Sequence, residues 1–422
     1  MKYKVYPLGC KVNQYDAGKL SAGLSSAGLL AVDSGADLAV IHSCAVTASA
    51  ISKSRQTVRK AKRDNPGAKI ILAGCWPRVY RQEAESVGGV DLVLAKAESK
   101  EILLAVGELY GFNSGHHQEV SIGGNLERGG RYFLKVQDGC EQFCSYCVIP
   151  HARGPLTSRP SKEVVAEAKV AIAAGFSEIV LSGIHLGLYG VENMRPEGAE
   201  KDMDLCKLIV RLLSLKGLKG LRLSSIEATE VSDELIALMK ENEKFCHHLH
   251  IPLQSGCDKT LKAMKRPYNT SFFQRKLDKI RRAVGDVAIT TDVIVGFPGE
   301  SDSDFKKTMD FISGAGLCRL HVFPFSAHPL TPAASMSDQV KEDVKKSRAG
   351  KLRALGDSLA KEYRQRFVGK IENVIVESVK AGVFTGRTGN YLDMEFRRSE
   401  ILSSNKTKRD LVGEAVRVRM EQ

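Results

Sequence analysis

The sequence predicts an α/β chain in three units: an N-terminal parallel-sheet α/β domain, a central partial (βα)6 barrel and a small C-terminal antiparallel β-barrel. Three observations predict it. Short aliphatic or β-branched runs alternate with longer helical patterns over residues 1–100, and the same alternation recurs over residues 131–335. Beyond residue 367 the runs are short, strand-like and separated by Gly, Asn, Thr and Ser.

In the first unit the candidate strands are Lys2–Leu8, Asp37–His42, Lys69–Ala73 and Asp91–Leu94, with helical spacing across Gln14–Ala27 and Thr47–Arg63. Such alternation implies a parallel sheet with helices on its faces. A stretch rich in Gly, His, Asn and Ser, Gly111 to Gly130, reads as a linker. In the second unit the candidate strands are Tyr132–Val136, Glu178–Ser182, Gly220–Ser224, His247–Pro252, Ala288–Val295 and Arg319–Pro324, each followed by a helical pattern. Six βα units in series place active groups in the loops after the strands. A long basic helix, Gln339–Phe367, leads into strand-like Asn373–Ser378, Tyr391–Phe396 and Ala415–Met420. The expected boundaries are therefore 1–125, 131–366 and 367–422.

The chain has 422 residues, 43% hydrophobic and 26% charged, the composition of an ordinary globular protein. No apolar run reaches the ~20 residues of a membrane span, and the N-terminus lacks the apolar stretch of a secretory signal. The expected compartment is the cytoplasm, with no membrane partner. The 10 cysteines then sit in a reducing setting, where clustered thiols point to metal or redox chemistry rather than disulfides. A net charge of +13 favours a polyanionic partner, nucleic acid foremost, although a merely basic surface fits as well. The basic residues concentrate between Lys53 and Lys69 and between Lys341 and Arg366, both on predicted helices where a solvated face is the plain alternative.

Cys140, Cys144 and Cys147 fall on the loop after the first barrel strand. Three thiolates packed so closely can hold three irons of a [4Fe–4S] cluster, and the missing fourth protein ligand leaves one iron open for a substrate or cofactor. Tyr146 is placed to stack on a bound aromatic group. A zinc knuckle wants four ligands, and no fourth Cys or His lies at the usual spacing; three unrelated core thiols are the other alternative. Cys10, Cys44 and Cys75 each lie just past a predicted strand end. In a parallel sheet those ends share one edge, where ligands bind, so the three thiols converge there. Inert thiols compete with a second open cluster. Cys206, Cys246, Cys257 and Cys318 show no metal spacing and read as core or loop thiols.

The Cys-x3-Cys-x2-Cys segment with Tyr146 before its last cysteine resembles the radical S-adenosylmethionine (SAM) signature. In that superfamily the open iron chelates the methionyl group of SAM, and one electron releases a 5′-deoxyadenosyl radical. Two three-cysteine sites in this order, followed by a small barrel, resemble the methylthiotransferase family along nearly the whole chain. The residues that carry the resemblance include Gly9–Asp16, Ser43–Thr47, Ala73–Cys75, Val148–Pro150, Arg153-Gly154, Ser158–Pro160, His250–Gly256 and Asp292–Glu300. The tail resembles the nucleic-acid-binding TRAM barrel. Gly183–Gly187, Ser224–Thr229 and Val287–Thr291 match best the threonylcarbamoyladenosine tRNA methylthiotransferases.

The resemblance implies a transferase that adds a methylthio group to carbon 2 of N6-threonylcarbamoyladenosine at tRNA position 37. It implies two [4Fe–4S] clusters, one on Cys140, Cys144 and Cys147 and an auxiliary one on Cys10, Cys44 and Cys75, with SAM as radical source and methyl donor. Gly183, Glu227, Gln254, Gly296 and Gly299 are expected beside SAM together with Tyr146, although loop geometry explains them equally well. The implied partners are tRNA, a reductant protein such as flavodoxin or ferredoxin, and an unknown sulfur donor. Trp76 and Arg78 depart from the family pattern after Cys75 and are expected to reshape the auxiliary surroundings. The rival substrates are isopentenyladenosine in tRNA and an aspartate of a ribosomal protein. A non-catalytic iron–sulfur RNA-binding protein is the remoter alternative, since a carrier needs neither an open iron nor six βα units.

Overall fold

The structure, a computed structural model, describes residues 1–95, 99–111, 130–191, 203–402 and 411–421. Its first sheet holds β1 (Lys2–Pro7), β2 (Leu30–Ala31), β3 (Leu38–Ser43), β4 (Lys69–Gly74) and β5 (Leu92–Val93), all parallel, in the order β2-β1-β3-β4-β5. Alternate side chains divide between two cores. Leu38, Val40, Ile71 and Ala73 pack with Leu20, Leu24, Ile102 and Val106 on one face. Ala39, Ile41, Ile70 and Leu72 pack with Ile51, Val58 and Ala61 on the other. Burial on both faces explains why these strands read as near-continuous apolar runs. The edge strand β2 escapes sequence reading because it has only two residues, both exposed.

The central unit follows with β6 (Arg131–Lys135), a two-stranded hairpin of β7 (Gln137–Asp138) and β8 (Thr157–Ser158), then β9 (Glu178–Ser182) and β10 (Gly220–Leu223). After them come β11 (His248–His250), β12 (Ala288–Val295) and β13 (Arg319–Pro324). Sheets β6-β9-β10 and β11-β12-β13 are parallel throughout, and parallel bridges Leu221–Phe245 and Ser225–His250 join them. Consecutive strands thus lie side by side in an open barrel, as the recurring βα pattern predicts. Its core runs from Tyr132 and Leu134 through Leu181 and Leu223 to Val293 and Val295.

The first helix, Lys11–Ser26, lies along β6 at the open side of this barrel. Tyr15, on that helix, donates to the buried Glu167 at 3.0 Å, and Arg159 and Lys19 pair with the same carboxylate.

The long helix spans Glu342–Gln365 and precedes β14 (Ile371–Lys380), β15 (Val383–Thr388), β16 (Asp393–Arg397) and β17 (Ala415–Arg419). These form an antiparallel sheet, β16-β15-β14-β17, and an Ile401–Val418 bridge brings the chain after β16 back to β17. Tyr391, expected inside a strand, sits instead in a turn at φ 69°, and its ring stacks on His248 at 3.8 Å. The sheet abuts the starting ends of the barrel strands: Arg222 donates to the Thr388 carbonyl at 3.0 Å, and Arg319 pairs with Asp393 at 3.0 Å. Most of the sequence-predicted linker, 112–129, and the basic residues Lys406, Lys408 and Arg409 lie outside the described residues. Among the described residues no helix is long and apolar enough to cross a membrane.

Candidate active site

Register fixes the first cysteine group. Pro7 pairs with His42 and Ser43 with Gly74, so β1, β3 and β4 end level, and Cys10, Cys44 and Cys75 follow along one edge. This edge includes the β1/β3 gap, where the strand order reverses and open α/β sheets bind ligands. Two glycines let the thiols approach. A side chain at Gly9 (φ 90°) would lie 2.7 Å from Cys44 Cβ, and one at Gly74 (φ 97°) would lie 2.6 Å from the Ser43 carbonyl. Cys10 and Cys75 also stand at helix starts, Lys11–Ser26 and Cys75–Val79, whose free N–H groups favour negative charge. Asn13 clamps the edge, donating to the carbonyls of Leu8 at 2.7 Å and Ser43 at 2.8 Å.

The second group opens into a cavity of about 310 Å³ at the finishing ends of the barrel strands. Cys140, Cys144 and Cys147 form one wall with Tyr146. Glu227, Gln254, Arg266, Asp292 and Ile294 form another, and Val46, Thr47 and Phe323–Ser326 complete the rim. Val46 and Thr47 follow Cys44 directly, so the first sheet contributes to this cavity. The rim is tied down: His328 bonds the Val46 carbonyl at 2.9 Å and Tyr80 at 2.8 Å, while Ala48 N donates to Ser326 Oγ at 2.9 Å.

Around the thiols the polar contacts are specific. Cys140 Sγ lies 3.5 Å from His185 Nδ1, and the other imidazole nitrogen bonds Glu230. Arg266 Nη1 donates to Cys144 Sγ at 3.3 Å and also pairs with Glu227. Burial pushes the thiols of Cys44 and Cys147 up to about 12 and raises those of Cys75 and Cys144. Thiols so placed stay protonated at neutral pH unless a bound metal ion draws off their protons. Among the described residues neither group has a fourth cysteine beside it. Three sulfurs with an open position, twice over, fit the iron–sulfur clusters that the cysteine spacing implies.

The expected residues fall into two sets. Tyr146, Glu227 and Gln254 line the cavity; Gly183, Gly296 and Gly299 do not, although Ile184, next to Gly183, and Ile294, two residues before Gly296, do. Gln254 holds φ 67°, an unusual conformation for a residue with a side chain, and its backbone bridges to Val293. Asp292 accepts from His250 and His321 at 3.2 Å each. Burial opposes its ionisation, but these two imidazoles hold its carboxyl well below the usual range. Sequence reasoning assigned no role to His185, Arg266 or Asp292; only the third dimension brings Arg266 to Cys144. Trp76 is fully buried in the first domain's core, whereas Arg78 is exposed and reaches Gly154, beside the second cysteine group. Cys206, Cys246, Cys257 and Cys318 are buried, as expected of core thiols.

Comparison with known proteins decides the family. The radical SAM superfamily profile matches residues 134–312, and that of uncharacterized protein family UPF0004 matches residues 2–95. Threonylcarbamoyladenosine tRNA methylthiotransferase MtaB of Bacillus subtilis is 37% identical, covering 98% of this chain and 92% of the relative. This chain belongs to the radical SAM methylthiotransferase family. The Thermotoga maritima MtaB is 36% identical over 93% of this chain and 91% of its own. A tRNA-2-methylthio-N(6)-dimethylallyladenosine synthase of Corynebacterium jeikeium is 33% identical over 89% of this chain and 76% of its own. Among solved structures, the radical SAM methyltransferase TsrM from Kitasatospora setae superposes with a TM-score of 0.59 at 16% identity, covering 79% of this chain and 76% of its own. That last likeness concerns the fold alone. Radical SAM methylthiotransferases carry SAM and two [4Fe–4S] clusters, and both sets of three cysteines are present here.

Proposed function

We propose that this enzyme adds a methylthio group to carbon 2 of N6-threonylcarbamoyladenosine at position 37 of tRNA by a radical SAM mechanism. The observation that carries this reading is the end-to-end likeness to MtaB, 37% identical over 98% of the chain. The geometry supports it, because the loop after Cys44 and the Cys140–Cys147 loop border one cavity.

Cys140, Cys144 and Cys147 would hold the radical cluster, and Cys10, Cys44 and Cys75 the auxiliary one. When bound, the two clusters and SAM supply the radical and the sulfur chemistry. The chain's own residues bind, orient and exclude water. Glu227 and Gln254 offer hydrogen bonds to the polar groups of SAM, and Tyr146 offers a ring face. Gly183 directly precedes the lining residue Ile184, whereas Gly296 packs against Lys345. Arg266 keeps a fixed positive charge against Cys144.

The working domains are 1–125, 131–366 and 367–422, the last a TRAM-like barrel for RNA. Its exposed Lys370, Lys380, Arg397, Arg417 and Arg419, with the basic face of Ala48–Asp64, would follow a phosphate backbone. The enzyme would work in the cytoplasm, with electrons from a protein such as flavodoxin or ferredoxin and sulfur from a donor still to be identified. A second reading, methylthiolation of isopentenyladenosine, is favoured by the likeness to the dimethylallyladenosine synthase.

Anaerobically reconstituted enzyme with dithionite and SAM separates the two. Methylthiolation of tRNA bearing threonylcarbamoyladenosine, and not of tRNA bearing isopentenyladenosine, is expected. The reverse selectivity would overturn the substrate assignment.

A further inference from the structure

We propose that Arg153 is a positioning residue for the auxiliary site: its guanidinium donates to the sulfur centre held by Cys10, Cys44 and Cys75, tying that site to the radical-cluster loop. The proposal rests on the assignment of those cysteines as cluster ligands. Arg153 closes the helix Ile149–Arg153, which begins two residues past Cys147. It therefore belongs to the radical-cluster loop, yet its side chain points into the other cysteine group.

Its side chain is only 1% exposed. Nη1 donates to Asp16 at 2.8 Å and to Asp138 at 3.0 Å, and Nη2 donates to Asn13 Oδ1. That same Asn13 oxygen lies 3.7 Å from Cys75 Sγ, and the guanidinium itself reaches the Cys75 thiol. Nε, in contrast, is buried with no hydrogen-bond partner. A buried N–H left unpaired costs about 1–3 kcal/mol. A sulfur centre held at Cys75 would offer this buried N–H an acceptor.

A purely structural staple is the competing explanation. Asp16 and Asp138 are shared with Lys135, so two acids and two cations already balance. A staple accounts for Nη1 and Nη2 but leaves Nε unexplained. Hydrogen bonds and positive charge next to a cluster favour its reduced, more negative state, so losing Arg153 must lower the reduction potential. A staple remote from the cluster would not move it.

The test uses the chain with Cys140, Cys144 and Cys147 all replaced by Ala, which retains the auxiliary site alone. About four irons per chain are expected after reconstitution. Their absence would refute the ligand assignment, and the proposal would fall with it. In this background Arg153→Met should shift the midpoint potential to more negative values in an EPR-monitored titration. Arg153→Lys, which keeps the charge but not the guanidinium fork, should shift it less in the same direction. Should the Met variant fail to hold iron, the Lys variant decides. In the otherwise native chain, Arg153→Lys should keep 5′-deoxyadenosine formation within twofold while methylthio product falls at least tenfold. An iron-loaded variant with unchanged potential and EPR signal would overturn the proposal.

Discussion

Arg153 Nη1 lies 2.8 Å from Asp16 Oδ2, a contact between residues 137 apart in sequence. Asp16 belongs to the helix that starts at Cys10, and Arg153 to the helix just past Cys147. One buried ion pair thus joins the elements that carry the two cysteine sites. One residue earlier on the same helix, Tyr15 donates to Glu167 of the barrel helix Ser161–Ala173, a second tie between the two domains. Two sites that would act on the same carbon of one substrate need a fixed mutual position, because small misplacements are costly in rate.

Separate roles for the two cysteine groups predict separable losses. Cys147→Ala should abolish 5′-deoxyadenosine formation, measured by chromatography under dithionite. Cys75→Ala should retain part of that cleavage while methylthiolated tRNA disappears. Retained methylthio transfer in Cys75→Ala would refute the auxiliary role.

The barrel floor rests on a buried pair. Arg222 donates to Glu178 at 2.7 Å through Nε, and both side chains are 1% exposed. Arg222→Met removes the cation and leaves the carboxylate buried alone, a loss of about 3–5 kcal/mol, read as a lowered denaturation midpoint at neutral pH. Burial works to raise the Glu178 carboxyl, but Arg222 holds it below its ordinary value of 4.5. The pair's contribution is therefore fully present above pH 4.5 and lost as the pH falls through the lowered folded value. The gap between parent and variant should narrow toward acid.

Gln254 combines strain with a place in the cavity wall. The left-handed backbone costs a residue with a side chain about 1–2 kcal/mol. Gln254→Gly should leave stability unchanged or raise it by about 1 kcal/mol, while weakening SAM binding measured by equilibrium dialysis. Unchanged SAM affinity would remove the side chain from the cofactor site.

Much of this was legible in the residues. Glu178–Ser182, Ala288–Val295 and Arg319–Pro324 fold as strands at the predicted bounds, because their apolar or β-branched runs are bounded by helical patterns. The convergence of Cys10, Cys44 and Cys75 followed from a rule about strand ends, without any spacing motif. What escaped reading depends on long-range contact. β15 contains Gly386, Arg387 and two threonines and does not stand out as a strand. Arg266 meets Cys144 across 122 residues with no local pattern to announce it. The burial of Arg153 is likewise invisible in a sequence that simply reads Arg-Gly at the end of a short helix.

The most direct test of the central claim is mass spectrometry of tRNA nucleosides from cells with and without this gene. Loss of 2-methylthio-N6-threonylcarbamoyladenosine, with its unmethylthiolated precursor accumulating, is the predicted result. An unchanged threonylcarbamoyladenosine profile, with 2-methylthio-isopentenyladenosine lost or a ribosomal protein lighter by one methylthio group, would contradict it.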